Sequence, residues 1–241
     1  MHRLALVLVL AAGLGACAAS PPKDLTEAHR LCKQIEQGVT TQATVDGCTE
    51  VIEHSRSRDE RVTAYNLRGV ANEQLGRIDE AFADFDEAVR LAPYFSAAYN
   101  NRANLFSRQG NNARAVQSFQ AAIRANPDNA AAYNNYAWYL ASRGDYDGAL
   151  ARVEKALALD SDYDAALDTY GHVLMGLGQA EAAMSAFERV IILEGPKVVR
   201  LYQEALEGWG YEPGRTDGVM DAQTDAALSA CVRDNCRLLL D

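Results

Sequence analysis

Amide side chains recur along this chain at a fixed spacing. Asn66, Asn100 and Asn134 stand 34 residues apart, and Asp168 takes the next place in the series. One position on stand Leu67, Asn101, Asn135 and Thr169; one helical turn along stand Val70, Asn104, Trp138 and His172. An asparagine amide offers both a donor and an acceptor. A row of them can pair with the N–H and C=O groups of an extended chain, largely whatever side chains it carries. Asparagine is a poor helix former because its side chain competes for backbone groups, so its repeated use asks for a reason. Two reasons stand open: pairing with a peptide backbone, with Trp138 as an aromatic anchor, or structural bonds between neighbouring units.

Other chemistry is thinly represented. Asp168 and His172 lie one turn apart and could act as acid and base. No serine or cysteine nucleophile is placed beside them, and no phosphate-cradling loop follows a strand. The pair reads as a surface pair, and the chain as non-catalytic. Of four histidines, His29 and His54 fall in the N-terminal segment. No cysteine spacing resembles a zinc site, so neither a metal nor a cofactor is expected. The formal charge of −10 argues against a nucleic-acid partner, which needs a basic face. Apolar content of 49% is ordinary for a folded protein.

The five cysteines divide as Cys17 alone, Cys32 with Cys48, and Cys231 with Cys236. Two local pairs fit an oxidising compartment. Cys32–Cys48 reads as a bridge between two short helices. Cys231–Cys236 requires a helix ending near Arg233, because five residues on a continuous helix do not face each other. The alternative is that one or both pairs are free, buried thiols.

The positioning elements follow from the same period. Gly76, Gly110, Gly144 and Gly178 recur every 34 residues, each followed five positions later by alanine: Ala81, Ala115, Ala149 and Ala183. Small residues also recur at Gly69, Ala103, Ala137 and Gly171, where two helices would cross closely. Tyr65, Tyr99 and Tyr133 open their units; Phe85, Phe119 and Phe187 fill gaps between helices. Each recurrent glycine would end a first helix, and Pro93 and Pro127 would stop a second. A fixed period of this length means a stack of supersecondary units.

These residues resemble the tetratricopeptide repeat, a helix–turn–helix unit of this length, in four units over residues 62–195. The resemblance implies an all-α solenoid. Asp160-Ser161 replace the proline of the third unit, and Leu167 replaces the opening aromatic of the fourth. Residues 25–61 look like a degenerate helical pair capping the stack. In this family the first helices line a concave groove, and the resemblance places Asn66, Asn100, Asn101, Asn104, Asn134, Asn135, Trp138, Asp168 and His172 there. It implies a protein or extended-peptide partner. Lysine and arginine are absent from these positions, which disfavours a groove that grips a C-terminal carboxylate.

Two further resemblances flank the stack. Leu14-Gly15-Ala16-Cys17, after a basic start and a short apolar run, resembles the lipobox of bacterial lipoproteins. It implies a signal peptide over residues 1–16, lipidation of Cys17, a tether over 17–24 and a lipid anchor. The expected location is the periplasmic face of the outer membrane, since Ala18 is not the aspartate of inner-membrane retention. The alternative is an ordinary secretory signal. After Gly195-Pro196, residues 196–241 resemble a small helical peptidoglycan-binding domain. Leu201, Leu206, Gly210, Tyr211, Gly214, Asp217, Gly218, Thr224 and Leu228 carry that match, which includes a threonine-capped helix. Asp221 stands where that family has glycine. The tail therefore reads as a peptidoglycan contact or as a cap on the last repeat. Taken together, the sequence predicts an envelope scaffold, with a wall-binding module spaced by the repeats as the alternative.

Overall fold

The computed structural model describes residues 24–236 and 238. The signal peptide, Cys17 and all but the last residue of the tether lie outside the described residues. Twelve α-helices and one 3-10 helix make up the regular structure, and no strand occurs among the described residues. α1 (Thr26–Cys32), the 3-10 turn Lys33–Gln37 and α2 (Gln42–His54) form the N-terminal pair. Four helix pairs follow: α3 (Arg58–Gln74) with α4 (Ile78–Leu91), α5 (Ser96–Arg108) with α6 (Asn112–Ala125), α7 (Ala130–Ala141) with α8 (Tyr146–Leu159), and α9 (Asp164–Gly176) with α10 (Ala180–Glu194). α11 (Pro196–Gly208) and α12 (Ala222–Arg233) close the chain.

The pairs form where the repeat pattern requires. Gly76, Gly110, Gly144 and Gly178 all have φ between 72° and 80°, the left-handed conformation that ends the first helix of each pair. Asn111 and Asp145 then cap the next helix, accepting from the backbone N–H of Arg114 and Gly148. Ala81, Ala115, Ala149 and Ala183 are fully buried, as are Phe85, Phe119, Val153 and Phe187. A Cβ added at Gly69 would lie 2.6 Å from Phe85, and one at Gly171 2.6 Å from Phe187. The ring therefore sits directly on the backbone of the facing helix. Where proline is missing, α8 still stops. Asp160 leaves helical geometry, and its carboxylate accepts from the Asp162 N–H. Leu167 is buried in place of the aromatic.

The N-terminal pair is held to the first repeat by polar bonds as well as packing. Arg68 on α3 donates to both carboxylate oxygens of the buried Asp84 on α4, at 2.6 to 3.1 Å, and to Thr49 on α2 at 2.9 Å. Asn72 donates to the same carboxylate. Each charge thus has a partner, without which its burial would be strongly destabilising. Cys32 and Cys48 form a disulfide between α1 and α2, with Cα atoms 4.6 Å apart.

The tail continues the stack. Leu201, Tyr202 and Ala205 on α11 hold the register places of the opening aromatic, the groove residue and the small residue. Tyr202 donates from its hydroxyl to Asp168, one repeat back, at 2.8 Å. Leu174, Phe187, Tyr202, Leu206, Leu228 and Leu238 belong to one apolar cluster. The sequence boundary at Pro196 marks a change of pattern, while the core runs through it. The helix expected to be threonine-capped is capped by Asp221 instead, which accepts from the N–H groups of Gln223 and Thr224. Thr224 sits one turn inside, fully buried, and donates to the Pro213 carbonyl. An aspartate is the stronger acceptor for free N–H groups at a positive helix terminus. α12 ends at Arg233, and Cys231 and Cys236 form a second disulfide.

Replacing Phe187 with alanine removes a fully buried ring from the cluster shared by the last repeat and the tail. We predict a loss of about 3–5 kcal/mol, read from the urea midpoint. A loss below about 1 kcal/mol would show that the cluster does not join them.

Candidate functional site

Successive first helices, α3, α5, α7 and α9, touch one another, whereas successive second helices make no comparable contact. The first helices therefore lie on the inner, concave side of the curve, where neighbours come closer. The residues singled out by spacing lie on these helices, but they fall into two layers.

Asn66, Asn100 and Asn134 are buried at 8, 7 and 5% exposure. They form the floor. Asn101, Asn104, Asn135 and Trp138 are half-buried and open to the concave face. Asn101 donates its amide to the Asn66 oxygen at 2.9 Å, so this pair bonds across neighbouring repeats. That bond realises, at one place, the structural reading of the asparagines. The next rungs differ. The side-chain oxygens of Asn100 and Asn134 are buried without a hydrogen-bond partner. An unpaired buried acceptor forfeits about 1–3 kcal/mol.

The far end of the groove is more enclosed than the sequence implied. His172 is only 9% exposed and lies between aromatic rings, 6.0 Å from that of Trp138 and 5.2 Å from that of Phe187. Its Nε2 is 3.6 Å from Asp168, beyond hydrogen-bond reach, and has no other partner. Asp168 and His172 do pair, at 3.6 Å, but not at the surface: the histidine is a packed ring and the aspartate also accepts from Tyr202. Burial pushes the His172 pKa down, opposed by the Asp168 charge. Burial also pushes the Tyr202 hydroxyl up, reinforced by Asp168. No group of three His, Cys, Asp or Glu residues that could hold a metal occurs among the described residues.

Beyond Asp168 the structure adds a residue that spacing had not singled out. Gln203 takes the register place of Asn101, Asn135 and Thr169 on α11. Its side chain is fully buried. It accepts from the Gly218 N–H at 2.8 Å and donates to the Val219 carbonyl at 3.0 Å. One amide thus holds both kinds of backbone group of a non-helical segment. Carrying the period one step past Gly195 would have found it.

Family models described as tetratricopeptide repeat match residues 62–95, 100–164 and 140–196. No curated protein matches the sequence. Among solved structures, YrrB, "a TPR protein with an unusual peptide-binding site", is 20% identical. The match covers 79% of this chain and 99% of that one, with a TM-score of 0.52. A thermophilic tetratricopeptide-repeat protein of Thermus thermophilus is 18% identical, over 70% of this chain and 91% of that one, with a TM-score of 0.60. PilF of Pseudomonas aeruginosa is 20% identical, over 73% and 89%, with a TM-score of 0.56. At these identities the likeness is one of fold.

The buried histidine gives the fold a pH dependence of defined sign. The unfolded chain protonates His172 near the ordinary value of 6.5, and the folded chain resists protonation there. Stability contributed by the neutral ring is full above that value and is lost as pH falls below it. Melting temperatures between about pH 7 and pH 5 should fall in the native protein and fall less in His172→Leu. Equal slopes would contradict the assignment.

Proposed function

Because the chain is a tetratricopeptide-repeat protein, we propose that it is a non-catalytic adaptor of the bacterial cell envelope. Its concave face holds an extended segment of a protein partner. The observation that carries this reading is the Gln203 clamp. At that place in the repeat register, a side-chain amide already holds a backbone N–H and a backbone C=O. Asn135 and Asn101 place the same kind of side chain two and three repeats earlier on the open part of the face, with Trp138 and Asn104 beside them. Such bonds recognise a chain direction and an extended shape more than a particular sequence.

The envelope setting rests on the sequence: the lipobox-like Leu14–Cys17, the tether after it and the two cysteine pairs. We place the protein at the periplasmic face of the outer membrane, held by lipid on Cys17. Two or more acyl chains give a stable anchor, at about 0.8 kcal/mol per buried methylene. Partner capture would then occur next to the membrane.

A second reading, in which the tail contacts peptidoglycan, is favoured by a cleft of about 250 Å³ where α9, α10 and α11 meet. Asp164, Asp168, Glu194 and Lys197 line it with apolar residues between, a mixture suited to a ligand bearing both amide and charged groups. Deleting residues 197–241 would uncover the core, so point variants test this better. Lys197→Glu with Asp164→Lys should abolish sedimentation with purified sacculi. Unchanged sedimentation, or none in the native protein, leaves the tail as a structural cap.

For the groove, a peptide selected from a displayed library on the native protein should lose about tenfold or more in affinity on Asn101→Ala with Asn135→Ala. N-methylation of two adjacent peptide nitrogens should weaken it similarly. Affinity insensitive to both changes would sink the backbone-ladder reading.

A further inference from the structure

The convex side carries a cleft that the groove reading leaves unused. It lies between α6, α7 and α8, with about 530 Å³ of free volume. Arg124, Arg152 and Lys155 line it, together with Ile123, Tyr133 and Tyr136, and no carboxylate does. The Arg152 guanidinium lies 5.4 Å from the centre of the Tyr136 ring. Among the described residues none of the three cations forms an ion pair, unlike Arg68, Arg90, Arg102 and Arg189.

The repeat register shows how this charge arises. At the corresponding positions one repeat earlier, on α4 and α5, Asp86 pairs with Arg102 and Glu87 with Arg90. The corresponding residues here are Gln120 with Tyr136, and Ala121 with Arg124. Both carboxylates are gone, while the arginine that Glu87 neutralised persists as Arg124. Ser118 and Ala121 hold the register places of Arg152 and Lys155 one repeat earlier. The charges at the earlier positions are therefore paired, and the cleft one repeat on carries three cations without an ion-pair partner, on a chain whose formal charge is −10. Three like charges converging on one cleft repel each other, and an anionic occupant relieves that repulsion.

We infer that this cleft docks an acidic peptide segment of a protein partner. The lining argues for carboxylate side chains on a peptide in preference to a phosphate group. The cations and rings that line it are side chains of the helices, and its charged lining is arginine and lysine ends rather than the backbone N–H cradle that usually seats a phosphate. Ile123 and the two tyrosine rings supply an apolar surface between the cations, matching the methylene stems and backbone of a glutamate-rich segment. Arg152, stacked on Tyr136, is half-buried and its guanidinium is orientated, while Arg124 and Lys155 are exposed at the rim. The site is independent of the concave groove, so the protein holds two protein segments on opposite faces.

The test uses the purified full chain and a fluorescently labelled hexaglutamate peptide, read by anisotropy. Saturable binding is expected, weakening as salt rises from about 50 to 200 mM. Arg124→Glu with Lys155→Glu, both on exposed residues, should weaken it at least about tenfold. Asn101→Ala with Asn135→Ala should leave it unchanged, which separates this site from the groove. Absence of saturable binding, or binding indifferent to the charge reversal, overturns the proposal. So does displacement of the peptide by an equal concentration of inorganic phosphate, which would mark a small-anion site. Self-association of the native chain that the charge reversal abolishes, without hexaglutamate binding, would assign the cleft to a second copy and equally overturn it.

Discussion

One close crossing underlies the architecture: a small residue of each first helix against a buried side chain of its partner, drawn tightest where an aromatic ring rests on bare glycine backbone. Phe85 against Gly69 and Phe187 against Gly171 leave no room for even one added carbon. The two helices of a pair are thereby fixed at close range, and the buried alanines fill the other side of the crossing. Everything else follows from repeating that crossing. The pairs stack because each alone leaves an apolar side uncovered. The stack curves because first helices approach each other more closely than second helices do. The curve places the same residue positions of each repeat side by side along one face.

That regularity explains why the fold was so legible in the sequence. A glycine with a left-handed φ and a fully buried alanine leave a periodic mark that survives when individual members change, as at Leu167 and Asp160. The site was less legible because the period fixes where a side chain starts and not how deep it lies. Asn100 and Asn101 are neighbours in sequence, yet one is buried in the floor and the other is half-buried at the face. His172 looked like a surface group from its carboxylate partner. Its burial depends on Trp138 and Phe187, which come from a different repeat and a different helix.

The tail shows the same limit from the other direction. Its glycines and Asp217 sit in turns as their residue types imply, with Asp217 accepting from the Val219 N–H. What sequence pattern concealed was continuity: α11 keeps the repeat register while the loop after it folds back onto Gln203. A change of motif at Pro196 looked like the end of one object and the start of another. Physically the last repeat needed a cover for Phe187 and Leu174, and the tail supplies it from Tyr202, Leu206 and Leu228.

The disulfide near the other end has a mechanical meaning. Tension entering from the N-terminal side reaches Cys32 after a single short helix. It then crosses directly to Cys48, bypassing the chain between these residues, which are 16 apart in sequence. That stretch is withheld from extension while the covalent link lasts. The load passes instead into α2, whose Thr49 is hydrogen-bonded to Arg68 and, through it, joined to Asp84 of the first repeat. A stack that would otherwise peel open from its leading edge therefore meets the pull with a covalent strut backed by a buried ion pair.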